Sequence, residues 1–122
     1  MPPINPSRFI WHDGRLVPWE QATIHVLSHG LHYGSSVFEG IRAYETERGP
    51  ALFRLADHLR RLLASARIYR LDLPFSREDL AAACHEVVRA NGLTSAYVRP
   101  IAYRGFGNLA VAGDHVPVGV SV

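Results

Sequence analysis

Ser36-Val37-Phe38-Glu39-Gly40-Ile41-Arg42-Ala43-Tyr44-Glu45 is the stretch on which the fold turns. Its side chains alternate with a period of two, which predicts one long strand over 36–45. Phe38, Gly40, Arg42 and Tyr44 share one face; Val37, Glu39, Ile41 and Ala43 share the other. A glycine inside a strand weakens it, so Gly40 marks either a close approach by a ligand or another backbone, or a simple bulge. Arg42, between two aromatic side chains on its face, is suited to holding an anion. It is equally suited to lying along the surface with its charge in water.

Upstream, Asp13-Gly14 between Phe9-Ile10-Trp11-His12 and Arg15-Leu16-Val17 is a two-residue hairpin signal. Residues 1–8 are proline-rich and read as an extended arm. Residues 18–34 are irregular, with two glycines and three histidines. Downstream, Glu47-Arg48-Gly49-Pro50 is a turn and Ala51–Leu55 the return strand. Leu55, Leu59, Leu62, Leu63 and Ala66 recur at helical spacing, which predicts a helix over 57–69. Ser76 with Asp79 forms a capping-box signature, and Leu80, Ala83, Cys84, Val87 and Val88 make the apolar stripe of a second helix that Gly92 stops. Ala96–Tyr103 predicts a further strand, and Gly105–Asp114 a glycine-rich loop. Another strand begins at Val116, and because a domain seldom stops in mid-strand, the sequence is expected to continue beyond Val122. Strands, then two helices, then strands predict an α+β fold: a mainly antiparallel sheet with two helices packed on one face.

The 122 residues suffice for one domain, spanning 9–122 after the arm. With 48% hydrophobic and 20% charged residues, the composition is that of a globular protein. The net charge of +2 and scattered arginines give no footprint for nucleic acid. No apolar run approaches the roughly 18 residues of a membrane span. The single Cys84 excludes an internal disulfide and fits a reducing, cytoplasmic setting. All 13 Lys and Arg positions are arginine. No side-chain amine is available to form a Schiff base.

Three constellations carry possible chemistry. His25, His29 and His32 would share one face of a helix and could bind zinc, but the intervening glycines and Ser28 oppose a continuous helix, and no carboxylate stands nearby. Packing histidines, with no metal, are the default. Tyr97 and Arg99 share a strand face, where they could grip a carboxylate or stack as a cation on a ring. Pro100 beside them would interrupt a central ladder. Arg61 on the first helix reads as a solvated side chain paired to Asp57 at i, i+4, although Ile68 on the same face warns that it is not fully exposed.

The run His29-Gly30-Leu31-His32-Tyr33-Gly34-Ser35-Ser36-Val37-Phe38-Glu39-Gly40-Ile41-Arg42-Ala43-Tyr44 closely resembles branched-chain amino acid aminotransferases, which are class IV, fold-type IV enzymes. The resemblance continues through Phe53–Leu62, Ser65–Tyr69 and Asn91–Pro100, and includes the Ile10–Gly14 hairpin. It implies the small N-terminal domain of an enzyme that uses pyridoxal 5'-phosphate. It further implies that Arg61 holds the cofactor phosphate, that Phe38 and Gly40 line the substrate pocket, and that Tyr97 and Arg99 meet substrate carboxylates. Tyr33 would be contributed across a homo-oligomer interface, together with the Gly105–Ala112 loop, and Arg42 would stand near the site. The implied reaction moves the amino group of leucine, isoleucine or valine to 2-oxoglutarate. The implied lysine belongs to a C-terminal domain, so these 122 residues alone are expected to be inactive. D-amino acid aminotransferase and aminodeoxychorismate lyase are the rivals within the superfamily, and a non-catalytic associating fragment is the rival outside it.

Overall fold

A computed structural model describes residues 3–122. The fold is α+β, and every strand pairing among these residues is antiparallel. The expected 1–8 arm lies partly outside the described residues; 3–7 carry no helix or strand. Strands β1 (Phe9–His12) and β2 (Arg15–Pro18) form the expected hairpin. Asp13 and Gly14 both take positive φ, 47° and 101°, as a tight turn matched to strand twist requires. The irregular segment holds a 3-10 turn (Trp19–Gln21) and one short helix, α1 (His29–Tyr33).

The two long predicted strands are each broken in two. Residues 36–45 become β3 (Ser36–Phe38) and β4 (Ile41–Thr46), and 96–103 become β6 (Ala96–Val98) and β7 (Ile101–Arg104). The breaks face each other. Phe38 pairs with Ile101 and Ile41 with Val98, so the register runs through the gap without a slip. Pro100 has no N–H to give a ladder and Gly40 adds no packing. The paired strands therefore bend together, and the Glu39 N–H donates to Pro100 O at 3.0 Å inside the bend. On one side of it lies a five-stranded sheet in the order β2-β1-β8-β7-β3, where β8 is Val118–Ser121. On the other lies β5-β4-β6, with β5 at Gly49–Leu52, a return strand shorter and earlier than the expected 51–55.

Helix α2 covers Leu55–Ile68 and α3 covers Arg77–Ala90. The first begins two residues before the predicted start and ends one earlier. The capping box at α3 forms in full: Ser76 Oγ accepts from Asp79 N, and Asp79 accepts from Ser76 N. Gly92 takes φ +63° and its N–H returns to Arg89 O, closing the helix end. The helices pack on each other, α3 against β1 and α2 against β3. Leu59, Leu62 and Ala66 of α2 and Leu80, Ala83, Cys84 and Val88 of α3 are buried with Ile41, Ala102 and Val120. Trp11 closes one end of this core, edge-on to Phe75 at 4.9 Å. Ile68, by contrast, is exposed.

Candidate functional site

The strand alternation persists through the bend, so each face keeps its own side chains. Phe38, Arg42 and Tyr44 are exposed, while Val37, Glu39, Ile41 and Ala43 are buried. From the neighbouring strand, Tyr97 and Arg99 reach the same open face. The Arg99 guanidinium lies 4.2 Å from the Phe38 ring centroid, and Arg99 Nη2 donates to Tyr97 Oη at 2.8 Å. Arg42 is the register partner of Tyr97. Gly40 makes room for Tyr97: a methyl group there would fall on the Tyr97 hydroxyl. The close approach at Gly40 is thus made by an aromatic side chain.

This face presents a guanidinium with hydrogen-bond capacity left over, a phenol beside it and an apolar wall. Tyr44 and Phe53 extend the wall, edge to face at 6.2 Å. Such a surface can hold a carboxylate at one end and an apolar group at the other.

The opposite face carries the one buried carboxylate among the described residues. Glu39 is 5% exposed and receives three donors. Arg61 Nε meets Oε1 at 2.6 Å, Arg61 Nη2 meets Oε2 at 2.8 Å, and His58 Nδ1 meets Oε2 at 2.9 Å. An ionised carboxylate only accepts, so the His58 tautomer carries its proton on Nδ1 toward Glu39. The Arg61 hydrogen bonds hold the Glu39 carboxyl below the usual glutamate range; burial pushes the other way, and His58 adds to the lowering. In return, Glu39 raises the Arg61 guanidinium above its ordinary value.

The expected Arg61–Asp57 pair does not form. Asp57 takes Arg54 Nε at 2.8 Å and Arg60 Nη2 instead. The reason is competition from a second carboxylate. Arg54 and Arg60 are each three residues from Asp57, whereas Arg61 turns toward the bend, where a buried carboxylate offers two oxygens to its fork. Its side chain remains 68% exposed, and Glu39 engages only two of its five N–H groups. With Arg54, Asp57, His58 and Arg60 it lines an open concavity on α2.

Tyr33 sits elsewhere. Its ring stacks on His29 at 4.6 Å between centroids, and its hydroxyl donates to Leu109 O at 2.8 Å. Each of the three clustered histidines has a separate partner. His29 bonds Ser35 Oγ and Ala110 O, His32 bonds Val26 O, and His25 accepts from Leu27 N. The structure therefore gathers Phe38, Gly40, Arg42, Tyr97 and Arg99 on one face. It places Arg61 behind the bend and Tyr33 against the 105–112 loop. Sequence reasoning passed over Glu39 and His58. The available signal was a carboxylate on the Val37–Ile41 face, where an unpaired charge is costly.

The profile of the family described as Amino-transferase class IV matches residues 36–122. The chain is 52% identical over 97 residues to the branched-chain-amino-acid aminotransferase of Salmonella typhimurium, covering 80% of this chain and 31% of that protein. It is 46% identical over 113 residues to the enzyme of the same description from Pseudomonas aeruginosa, covering 93% and 37%. The crystal structure of the Escherichia coli branched-chain amino acid aminotransferase superposes with a TM-score of 0.91 at 45% identity, over 94% of this chain and 38% of that one. A thermophilic relative, the branched-chain aminotransferase of Thermoproteus uzoniensis with norvaline, superposes with a TM-score of 0.88 at 45% identity, over 94% and 39%. The chain thus spans about a third of the length of the curated relatives it matches.

Proposed function

The chain belongs to the class IV aminotransferase family, and on that premise we propose that it is the substrate- and phosphate-gripping part of a branched-chain amino acid aminotransferase. The observation that carries the reading is the Arg99–Tyr97–Phe38 cluster beside Gly40. It offers an anion grip and an apolar wall on one rigid bend, as an amino acid with a carboxylate and an aliphatic side chain requires. The substrates are leucine, isoleucine and valine, with 2-oxoglutarate as the amino acceptor. Arg99 binds a carboxylate, Tyr97 steadies that arginine, Phe38 receives the aliphatic chain, and Gly40 gives the Tyr97 hydroxyl its place beside them. Arg42 adds positive charge near the same face.

Pyridoxal 5'-phosphate fits the donor set on α2. Arg61 commits Nε and one Nη2 N–H to Glu39, which leaves three of its five N–H donors for another acceptor. A phosphate is the natural acceptor for such a fork. When bound, the cofactor supplies the electron sink for amino-group transfer. The amine that such a cofactor needs is not a side chain of these 122 residues, which lack lysine. On this reading the chain alone is inactive.

The same reading makes the protein a homo-oligomer through Tyr33 and the 105–112 loop, where Val26, Leu31 and Val111 stand exposed. It is cytoplasmic, in keeping with a lone buried Cys84. The test is a substrate panel on the protein extended to the length of its relatives. Leucine with 2-oxoglutarate should turn over well above D-alanine with the same acceptor, and a preference for D-alanine would overturn the assignment.

A further inference from the structure

The concavity on α2 holds arginines tethered in two different ways. Arg54 and Arg60 share Asp57, a half-exposed carboxylate on their own helix. Pairs of this kind are weakly held, because water competes for both partners. Arg61 is tethered across 22 residues to Glu39, whose side chain is only 6% exposed. The Glu39 backbone is itself fixed, since its N–H donates to Pro100 O within the bend. Its second oxygen is shared between Arg61 and His58. The plane of the Arg61 guanidinium is thereby set by a buried anchor in the bend, and three of its five N–H groups are not used by that anchor.

We propose that Glu39 is a positioning residue that preorganises Arg61 as a phosphate grip, with His58 locking the Glu39 carboxylate in place. This rests on the reading of Arg61 as the group that holds a phosphate. A free arginine side chain has many rotamers, and the entropy of fixing them opposes ligand binding. Glu39 removes that cost before the ligand arrives. The idea runs against simple charge counting. Glu39 is an anion beside an anion site, so a carboxylate that did nothing but neutralise Arg61 would weaken phosphate binding.

That opposition supplies the experiment. Inorganic phosphate is titrated into the 122-residue chain at constant ionic strength; NMR reads the affinity from the backbone amide shifts of α2 and the anchoring from the Arg61 Nε–H resonance. The wild-type resonance should be single and protected from exchange, and it should move with phosphate. In Glu39→Gln the protection should disappear and the phosphate affinity should fall on the order of tenfold, the scale of restored arginine rotamer freedom. Glu39→Asp keeps the charge and withdraws the anchor by one methylene; it should weaken binding as well. It also serves if Glu39→Gln does not fold, as read by circular dichroism. His58→Gln should give a smaller loss.

Arg61→Lys separates the two ideas. If it leaves the affinity read from the α2 backbone amides unchanged, or if wild type shows no phosphate-dependent shift, Arg61 is not the phosphate holder and that reading falls. If Arg61→Lys weakens binding while Glu39→Gln leaves it unchanged or tightens it, the reading stands and the positioning role is overturned. An unprotected Arg61 Nε–H in the wild type overturns the positioning role directly.

Discussion

Glu39 shows how a single buried side chain can be argued from its neighbours. A carboxylate out of water is tolerated only when its oxygens are filled, and here three donors fill them. Its pKa in the folded chain is below the ordinary glutamate value, chiefly through Arg61. The sign of the pH dependence follows. The unfolded chain holds the proton more tightly, so the stability from Glu39 is complete above about pH 4.5 and is lost as pH falls through the lower, folded value. Acid unfolding followed by circular dichroism should therefore begin below pH 4.5, and Glu39→Gln should flatten that part of the profile. Cys84 is the opposite case. Burial without a charged partner pushes its thiol up to about 12. The thiolate is the reactive form, so labelling by a disulfide reagent at about pH 8 should be negligible in the native chain and rapid in denaturant.

The bend between the two sheets decides much at the scale of elements. The alternation on either side of Gly40 was legible in the sequence, and it assigns the faces of Phe38, Glu39, Ile41 and Arg42 as the structure has them. The break itself was half legible. Pro100 marked an interruption and Gly40 a close approach or a bulge, but that the two stand opposite each other depends on pairing between strands far apart in the chain, which leaves no local trace. Arg61 was illegible for the same reason: its partner is near only after the strands bend. The phosphate role proposed for Arg61 and the carboxylate role proposed for Arg99 rest on a long family resemblance; spacing alone left them open. Glycine matters again at β8. Gly119 pairs with Tyr103, and a methyl group there would lie 2.5 Å from the ring. Tyr103 is itself buried and cannot swing away. Gly119→Ala should cost about 1–3 kcal/mol, the usual range for overpacking. It should appear as a lower urea midpoint with an unchanged m value.

At the scale of the whole molecule, one side chain joins the first strand to the second long helix. Asn91 Oδ1 accepts from Arg8 N and Phe9 N, and its Nδ2 donates to Phe9 O and Val87 O. Removing it leaves the partly buried Phe9 N–H without its partner, so Asn91→Ala should cost about 1–3 kcal/mol. Hydrogen exchange should locate the loss, with β1 amides losing protection before those of β4. The place of β8 has a different outcome. It lies between β1 and β7 in the larger sheet, with Val122 N donating to Trp11 O at 2.9 Å and Trp11 N to Val122 O at 3.1 Å. A chain leaving the ribosome at about 5–20 residues per second makes β1 on the order of 5–20 s before β8 exists. During that interval the inner edge of the first hairpin has no strand to pair with. Nascent chains are most exposed to edge-to-edge pairing in this window, and holdase chaperones would be expected to act there.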